Sequence, residues 1–213
     1  VNNGVSEENQ AKFEQQIESF RTFTEGFSKE DVELTMSVIA DDIQWSPPVY
    51  NGGETIGYDG FVEALKGYFE TFDNVQFMEG EGPNLGAALS ADANTAFWSG
   101  SLYSSATPTD DPSGLRVYGV WKWKHTESGA EGGNKWYGLI NFNDEGKISG
   151  FSDYMDYHGM QVQIENYIKS SHNEILINFI LLFVAALFVG CASPGVQVTT
   201  DDEKSQAIKA AYD

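Results

Sequence analysis

The period of the apolar residues changes once along this chain, near Asp73, and that change fixes the order in which helices and strands must come. Before it, Phe13, Ile17, Phe20 and Phe27 recur at the three-, four- and seven-residue steps that make one stripe of a helix. The spacing predicts a first helix ending near Gly26. Ser28 with Asp31 three residues on reads as a capping box with the shorter acid, opening a second helix whose Val32, Met36 and Ile39 share a face. Residues 43–45 read as a short strand, stopped by Pro47, Pro48 and the Asn51-Gly52-Gly53 loop, which no helix interior tolerates. Asp59 then caps a third helix with Phe61, Leu65, Phe69 and Phe72 on or near one side.

After Asp73 the chain turns to strand-like runs, 75–78, 95–103, 115–126, 135–142 and 147–156, broken by Gly, Pro, Asp and Ser. A Pro and Asp loop at 107–113, a Gly-rich tip at 128–133 and the tight turn Asn143-Asp144-Glu145-Gly146 join the later strands, so the economical pairing is an antiparallel meander. Within 115–125, Val117, Gly119, Trp121 and Trp123 alternate with Arg116, Tyr118, Val120, Lys122 and Lys124. One face of the sheet is therefore covered and the other wet. Helices first and strands later give an α+β class.

Charge narrows the partners. Twelve Lys and Arg against 32 Asp and Glu leave a net charge of -20, a field that repels nucleic acid. A single cysteine, Cys191, excludes an internal disulfide and thiolate-rich metal sites, and His125, His158 and His172 have no metal-ligand spacing. No metal and no cofactor are expected.

Two helices, a strand carrying Trp45, a third helix and a long meander ending in Gly146-Lys147-Ile148 and Asp153-Tyr154-Met155-Asp156 resemble the nuclear transport factor 2-like superfamily. The SnoaL-like polyketide cyclase group is the nearest resemblance, over residues 10–167. It implies a cone-shaped fold: three N-terminal helices packed on a curved antiparallel sheet, with a pocket for a small apolar or aromatic molecule at the open end. The superfamily includes cyclases, steroid isomerases, epoxide hydrolases and non-enzymes, and many members are homodimers. Epoxide hydrolysis is disfavoured, because those enzymes need an Arg-x-Asp on a central strand and 95–103 holds neither residue.

On the last strand, period two groups Ser149, Phe151, Asp153 and Met155 against Gly150, Ser152, Tyr154 and Asp156. If Phe151 and Met155 face a cavity, Asp153 is a carboxylate in apolar surroundings, where desolvation raises its pKa towards a useful general acid or base. The plainer alternative keeps Asp153 as a partly solvated acid at a strand end, or bonds it to a neighbouring tyrosine or tryptophan. Trp45, Phe61, Leu65, Phe69, Trp98, Trp121 and Trp123, with Phe151 and Met155, are the candidate ligand-binding residues, although a domain this aromatic buries several of them as core. Tyr58, Tyr103, Tyr118 and Tyr137 are candidate oxyanion donors, with nothing in the sequence to choose among them.

A second feature lies in the tail. Residues 175–189 are apolar except for Asn178 and run into Gly190-Cys191, short for a membrane span but the size of a secretory signal core. Phe188-Val189-Gly190-Cys191 resembles a bacterial lipoprotein box, which makes Cys191 a lipidation candidate; a tail anchor or a hydrophobic helix packed on the domain are the alternatives. The expected organisation is a flexible leader at 1–10, the domain at 11–168, a signal-like or membrane segment at 169–192, and a linker with the start of a second domain at 193–213. A functional tail would place the protein at the cell envelope or a membrane through 175–192; otherwise it is expected in the cytoplasm. Three functions remain open: a small-molecule-binding domain, a cofactor-independent cyclase or isomerase using Asp153, and a homodimeric interaction module through the open sheet face at Tyr118, Val120 and Tyr137.

Overall fold

The structure is a computed structural model that describes residues 6–79, 96–99 and 112–171. By its internal contacts the chain divides into two units, Val1–Ile168 and Lys169–Asp213. Cys191 and the apolar run 175–192 lie outside the described residues, as do Tyr103 and most of the 95–103 run. Among the described residues, no helix is long and apolar enough to cross a membrane.

Helix α1, Glu7–Lys29, starts where the Ser6 hydroxyl accepts from the Asn9 N–H at 3.1 Å. It passes Gly26, where the sequence predicts its end, and stops one turn later at Glu30 in the left-handed region, φ 53°. Gly26 serves close approach instead of termination: a β-carbon there would stand 2.7 Å from the Thr35 nitrogen and 2.9 Å from its Cα, both backbone atoms. Helix α2, Val32–Met36, is capped by Asp31, whose Oδ1 accepts from the Leu34 N–H at 2.9 Å. The Ser28 hydroxyl instead donates back to the Thr24 carbonyl, so the predicted capping box does not form. Ile39, placed on that helix by its spacing, opens strand β1, Ile39–Ser46.

Helix α3, Tyr58–Thr71, follows Gly57, which gives no side-chain cap, and Asp59 sits in its first turn, where a carboxylate favours the helix dipole without capping. The remaining strands are β2, Phe72–Glu79; β3, Phe97–Ser99; β4, Gly114–His125; β5, Glu131–Phe142; and β6, Ile148–Met155. A helix unforeseen in the sequence, α4, begins at residue 157 and runs to 171, with Asp156 Oδ1 accepting from the Gly159 N–H at 2.8 Å.

The sheet has six strands in the order β1-β6-β5-β4-β2, with β3 sharing an edge of β4 with β2. The antiparallel meander holds for β4, β5 and β6. The expectation of a wholly antiparallel sheet is corrected, because β1 pairs with β6 in parallel, with Trp45 opposite Phe151. Sequence adjacency predicts hairpins, but β1 has no strand beside it in the chain, and its parallel partner is reached only through a long crossover. The Gly-rich tip is also shorter than predicted, since Gly132 and Gly133 belong to β5.

The inner sheet face carries Leu115, Val117, Trp121 and Trp123 from β4 with Trp136 and Ile140 from β5, all buried. Phe20 of α1 packs into it, its ring 5.7 Å from Trp136 and 5.3 Å from Phe77. Helix α3 crosses from the β1 edge, where Phe61 meets Trp45 at 5.0 Å, to β2, into which it runs directly. Its 14 residues span roughly 21 Å, close to the roughly 19 Å of four strand spacings. One helix is thus long enough to roof the inner face.

Gly26→Ala should lower the unfolding free energy by about 1–3 kcal/mol, the cost of forcing volume into a packed crossing. Urea unfolding monitored by circular dichroism measures it, and an unchanged midpoint would show that α1 and α2 can separate freely.

Candidate functional site

Between α3 and the inner sheet face is a cavity in which the centre of a water-sized sphere sweeps about 80 Å³. A single water needs about 10–15 Å³ on this measure, so there is room for a compact ligand. The lining includes Trp45, Phe61, Leu65, Trp121, Trp123, Phe151, Asp153 and Met155 of the sequence candidates. Phe69 is not among the lining residues and packs edge-on against Phe27 at 5.5 Å. Trp98 is also elsewhere: it stands on β3 opposite Arg116, its ring 4.9 Å from Tyr118 on the outer face.

Asp153 is 6 % exposed and sits among these rings. Its two carboxylate oxygens are divided between two indoles. Trp45 Nε1–H donates to Oδ1 at 2.9 Å, and Trp136 Nε1–H donates to Oδ2 at 3.0 Å. Of the alternatives open in the sequence, the bond to tryptophan is the one present, together with burial.

Each partner is placed by its own strand. Parallel pairing of β1 with β6 sets Trp45 opposite Phe151, two residues from Asp153. On β5, Gly138 stands directly opposite Asp153, and a β-carbon on Gly138 would collide with the six-membered ring of Trp136. The absent side chain lets the indole lie along its own strand and reach across to the carboxylate. Ile148 pairs with Phe142 while Gly150 pairs with Asn141, so Ser149 is the extra residue of a bulge. The alternation that begins at Phe151 therefore does not extend back to Ser149.

Burial raises the Asp153 pKa above the ordinary carboxylate value, and the indole N–H groups of Trp45 and Trp136 offset part of that rise. Asn134 is the other polar side chain deep in the lining: its Oδ1 accepts from Trp123 Nε1–H at 3.0 Å and its amide donates to the Met155 sulfur at 3.3 Å. No Lys, Arg or His lines the cavity among the described residues.

Among the described residues, Tyr68 supplies the one hydroxyl of the lining. A groove between α3 and α4, lined by His125, Tyr157 and Ile164 among others, shares Ala64, Tyr68, Phe72 and Met160 with the cavity. The Tyr68 and Tyr157 hydroxyls are hydrogen-bonded to each other across this boundary. Desolvation raises the pKa of both, and the charge of Asp153 adds to the rise.

The tyrosines proposed from the sequence are placed differently. Tyr118 and Tyr137 stack on the outer face at 4.4 Å, with Tyr154 6.0 Å beyond, and Tyr58 opens α3 away from the cavity. Trp136 and Tyr68 were absent from the sequence candidates. Trp136 carries a readable signal, the inward phase of Trp136, Gly138 and Ile140 two residues apart on one strand. Tyr68 falls at helical spacing from Phe61 and Leu65 as closely as Phe69 does, and only packing separates them.

No family profile and no curated protein sequence matches the chain. Solved structures do match. An NTF2-like protein of unknown function from Burkholderia pseudomallei is similar over 70 % of this chain and 97 % of its own, with 17 % identity and a TM-score of 0.50. A polyketide cyclase, so described provisionally, from Xanthomonas campestris is similar over 72 % and 98 %, with 14 % identity and the same TM-score of 0.50. TerC, co-crystallized with polyporic acid, is similar over 71 % and 98 %, with 18 % identity and a TM-score of 0.50. The chain has the nuclear transport factor 2-like fold, and at these identities the likeness speaks of fold alone.

Because native Asp153 holds its proton more tightly than an unfolded aspartate, its contribution to stability is present below the ordinary carboxylate pKa of about 3.9 and is lost as pH rises through the native value. The stability of the parent relative to Asp153→Asn should therefore decline from about pH 4 towards neutrality. Paired urea titrations test this, and a difference that grows with pH would mean that the indole bonds outweigh burial.

Proposed function

We propose that the domain binds a small, largely apolar or aromatic molecule in the cavity beneath α3, with Asp153 as its polar anchor. The observation that carries this reading is a void lined almost wholly by aromatic and aliphatic side chains into which one buried carboxylate is held by two fixed donors. Pockets of this composition use the apolar wall for affinity and a few fixed polar groups for orientation. That TerC has been co-crystallized with polyporic acid supports small-molecule binding on this fold.

A second reading, a cofactor-independent cyclase or isomerase, draws on the same carboxyl group. A proton held above the usual carboxylate range in a largely water-excluded site suits general acid or base work beside a substrate carbonyl. Tyr68 is the hydroxyl placed to accompany it, its own proton kept on by burial. On this reading Asp153→Asn abolishes turnover while ligand retention persists. Self-association is the proposal for the outer face, where Tyr118, Tyr137 and Tyr154 stack across three strands and Tyr154 is 57 % exposed.

Titration with 2-naphthol, followed by quenching of the cavity tryptophans, tests the binding reading. The parent should quench saturably, and Ala64→Phe, which drives a ring into the cavity, should weaken binding at least about tenfold with the circular dichroism spectrum retained. Equal binding by parent and variant would place the ligand elsewhere.

A further inference from the structure

The cavity sets a carboxylate within an aromatic box, and that pairing selects more narrowly than an apolar wall alone. We propose that its ligand is a compact organic cation, a protonated or quaternary amine bearing small alkyl or aryl groups, with Asp153 as counter-ion and Trp45, Trp121, Trp136, Phe61 and Phe151 as its cage. The proposal rests on the reading of the cavity as a binding site.

The first argument is the unbalanced charge. Asp153 is 6 % exposed, and neither Lys, Arg nor His accompanies it in the lining among the described residues. Two indole N–H groups occupy one acceptor position on each oxygen and the residue's own backbone N–H adds support, which still leaves the roughly four acceptor positions of a carboxylate incompletely filled. A neutral ligand that displaces water would leave the anion in still drier surroundings, at the cost of protonating it or burying an incompletely compensated charge. A cation removes that cost.

The second argument is the wall. Aromatic faces carry the negative part of the ring quadrupole and attract a cation lying within about 6 Å of the ring centroid, tryptophan most strongly. Phe61 lies 5.0 Å from Trp45 and 6.4 Å from Phe151, Phe151 5.9 Å from Trp136, and Trp136 6.1 Å from Trp121, so these rings form one contiguous lining. A metal ion is the wrong cation for this site. It asks for several oxygen or nitrogen ligands, and the Asn134 oxygen is already taken by Trp123. Among the described residues no cluster of three His, Cys, Asp or Glu stands ready to hold a metal. A cavity of about 80 Å³ suits a trimethylammonium group better than an extended polycycle, and a net charge of -20 raises the local concentration of cations.

The test is a neutral isostere. Choline and 3,3-dimethylbutan-1-ol share a shape and differ in the charge at one atom, and each is titrated into the full chain at fixed ionic strength by calorimetry and tryptophan fluorescence. Choline should bind at least about tenfold more tightly, and Asp153→Asn should erase most of that preference. A pH series on the parent supplies a second arm that needs no variant. Protons and the cation compete for Asp153, so the preference should fall on acidification. Tyr68 on α3 and Tyr157 on α4 feel the charge of Asp153, His125 on β4 lines the adjoining groove, and His125→Gln serves as the control for the last. Equal or tighter binding of the alcohol, or a preference indifferent to pH, overturns the cation proposal and leaves the cavity reading intact. Failure of both isosteres where 2-naphthol binds does the same, whereas failure of all three ligands overturns the cavity reading as well.

Discussion

One buried carboxylate joins three strands of this domain. Asp153 belongs to β6, and its two oxygens are held by an indole from β1 and an indole from β5, so a single side chain bonds to both neighbours of its own strand. The energetic balance is asymmetric. With both donors in place burial still disfavours the charged form, and removing either would leave more of the buried charge unanswered, which costs more than a hydrogen bond contributes. That dependence explains why the surrounding geometry is so constrained. The parallel pairing fixes Trp45, the bare Cα of Gly138 gives Trp136 its path, and the bulge at Ser149 lets Ile148 and Phe151 both reach the core.

The same arrangement keeps the cavity open. Large rings that bond to Asp153 or Asn134 through their indole nitrogens are held at one edge, and are less able to collapse into the space they border. Helix α3 borders it with Phe61 and Leu65, and α4 adds Met160, with Tyr157 in the adjoining groove. On the proposed binding reading, structure and ligand class are linked through one residue, because whatever bound beside Asp153 would change the cost of its charge.

Much of this was legible from periodicity. Alternation on β4 gave the inward set Val117, Trp121 and Trp123, the last strand gave Phe151, Asp153 and Met155, and the helical steps gave Phe61 and Leu65. The misses have physical causes. Spacing reports which residues share a face but not which of two adjacent helix positions wins the packing, so the stripe predicts Phe69 where Tyr68 reaches the cavity. It says nothing of long-range pairing either, which hid the parallel union of β1 with β6. Chemistry alone groups Trp98 with the other tryptophans, although its strand places it beside Tyr118 on the outer face. A glycine that ends an element and one that admits a neighbour look alike in sequence, so Gly26 and Gly132 both predict breaks; Gly132 instead admits the Trp123 ring.

The central claim is that one carboxyl group is shared by Trp45 and Trp136. Proton-nitrogen NMR of the tryptophan indoles tests it directly, with Trp45→Phe and Trp136→Phe assigning the resonances. The account predicts that both indole N–H signals move downfield as pH rises and that they follow a single titration midpoint above the ordinary carboxylate range, because one proton governs both bonds. Two separate midpoints, or indole signals that ignore pH while Asp153 titrates, would contradict it.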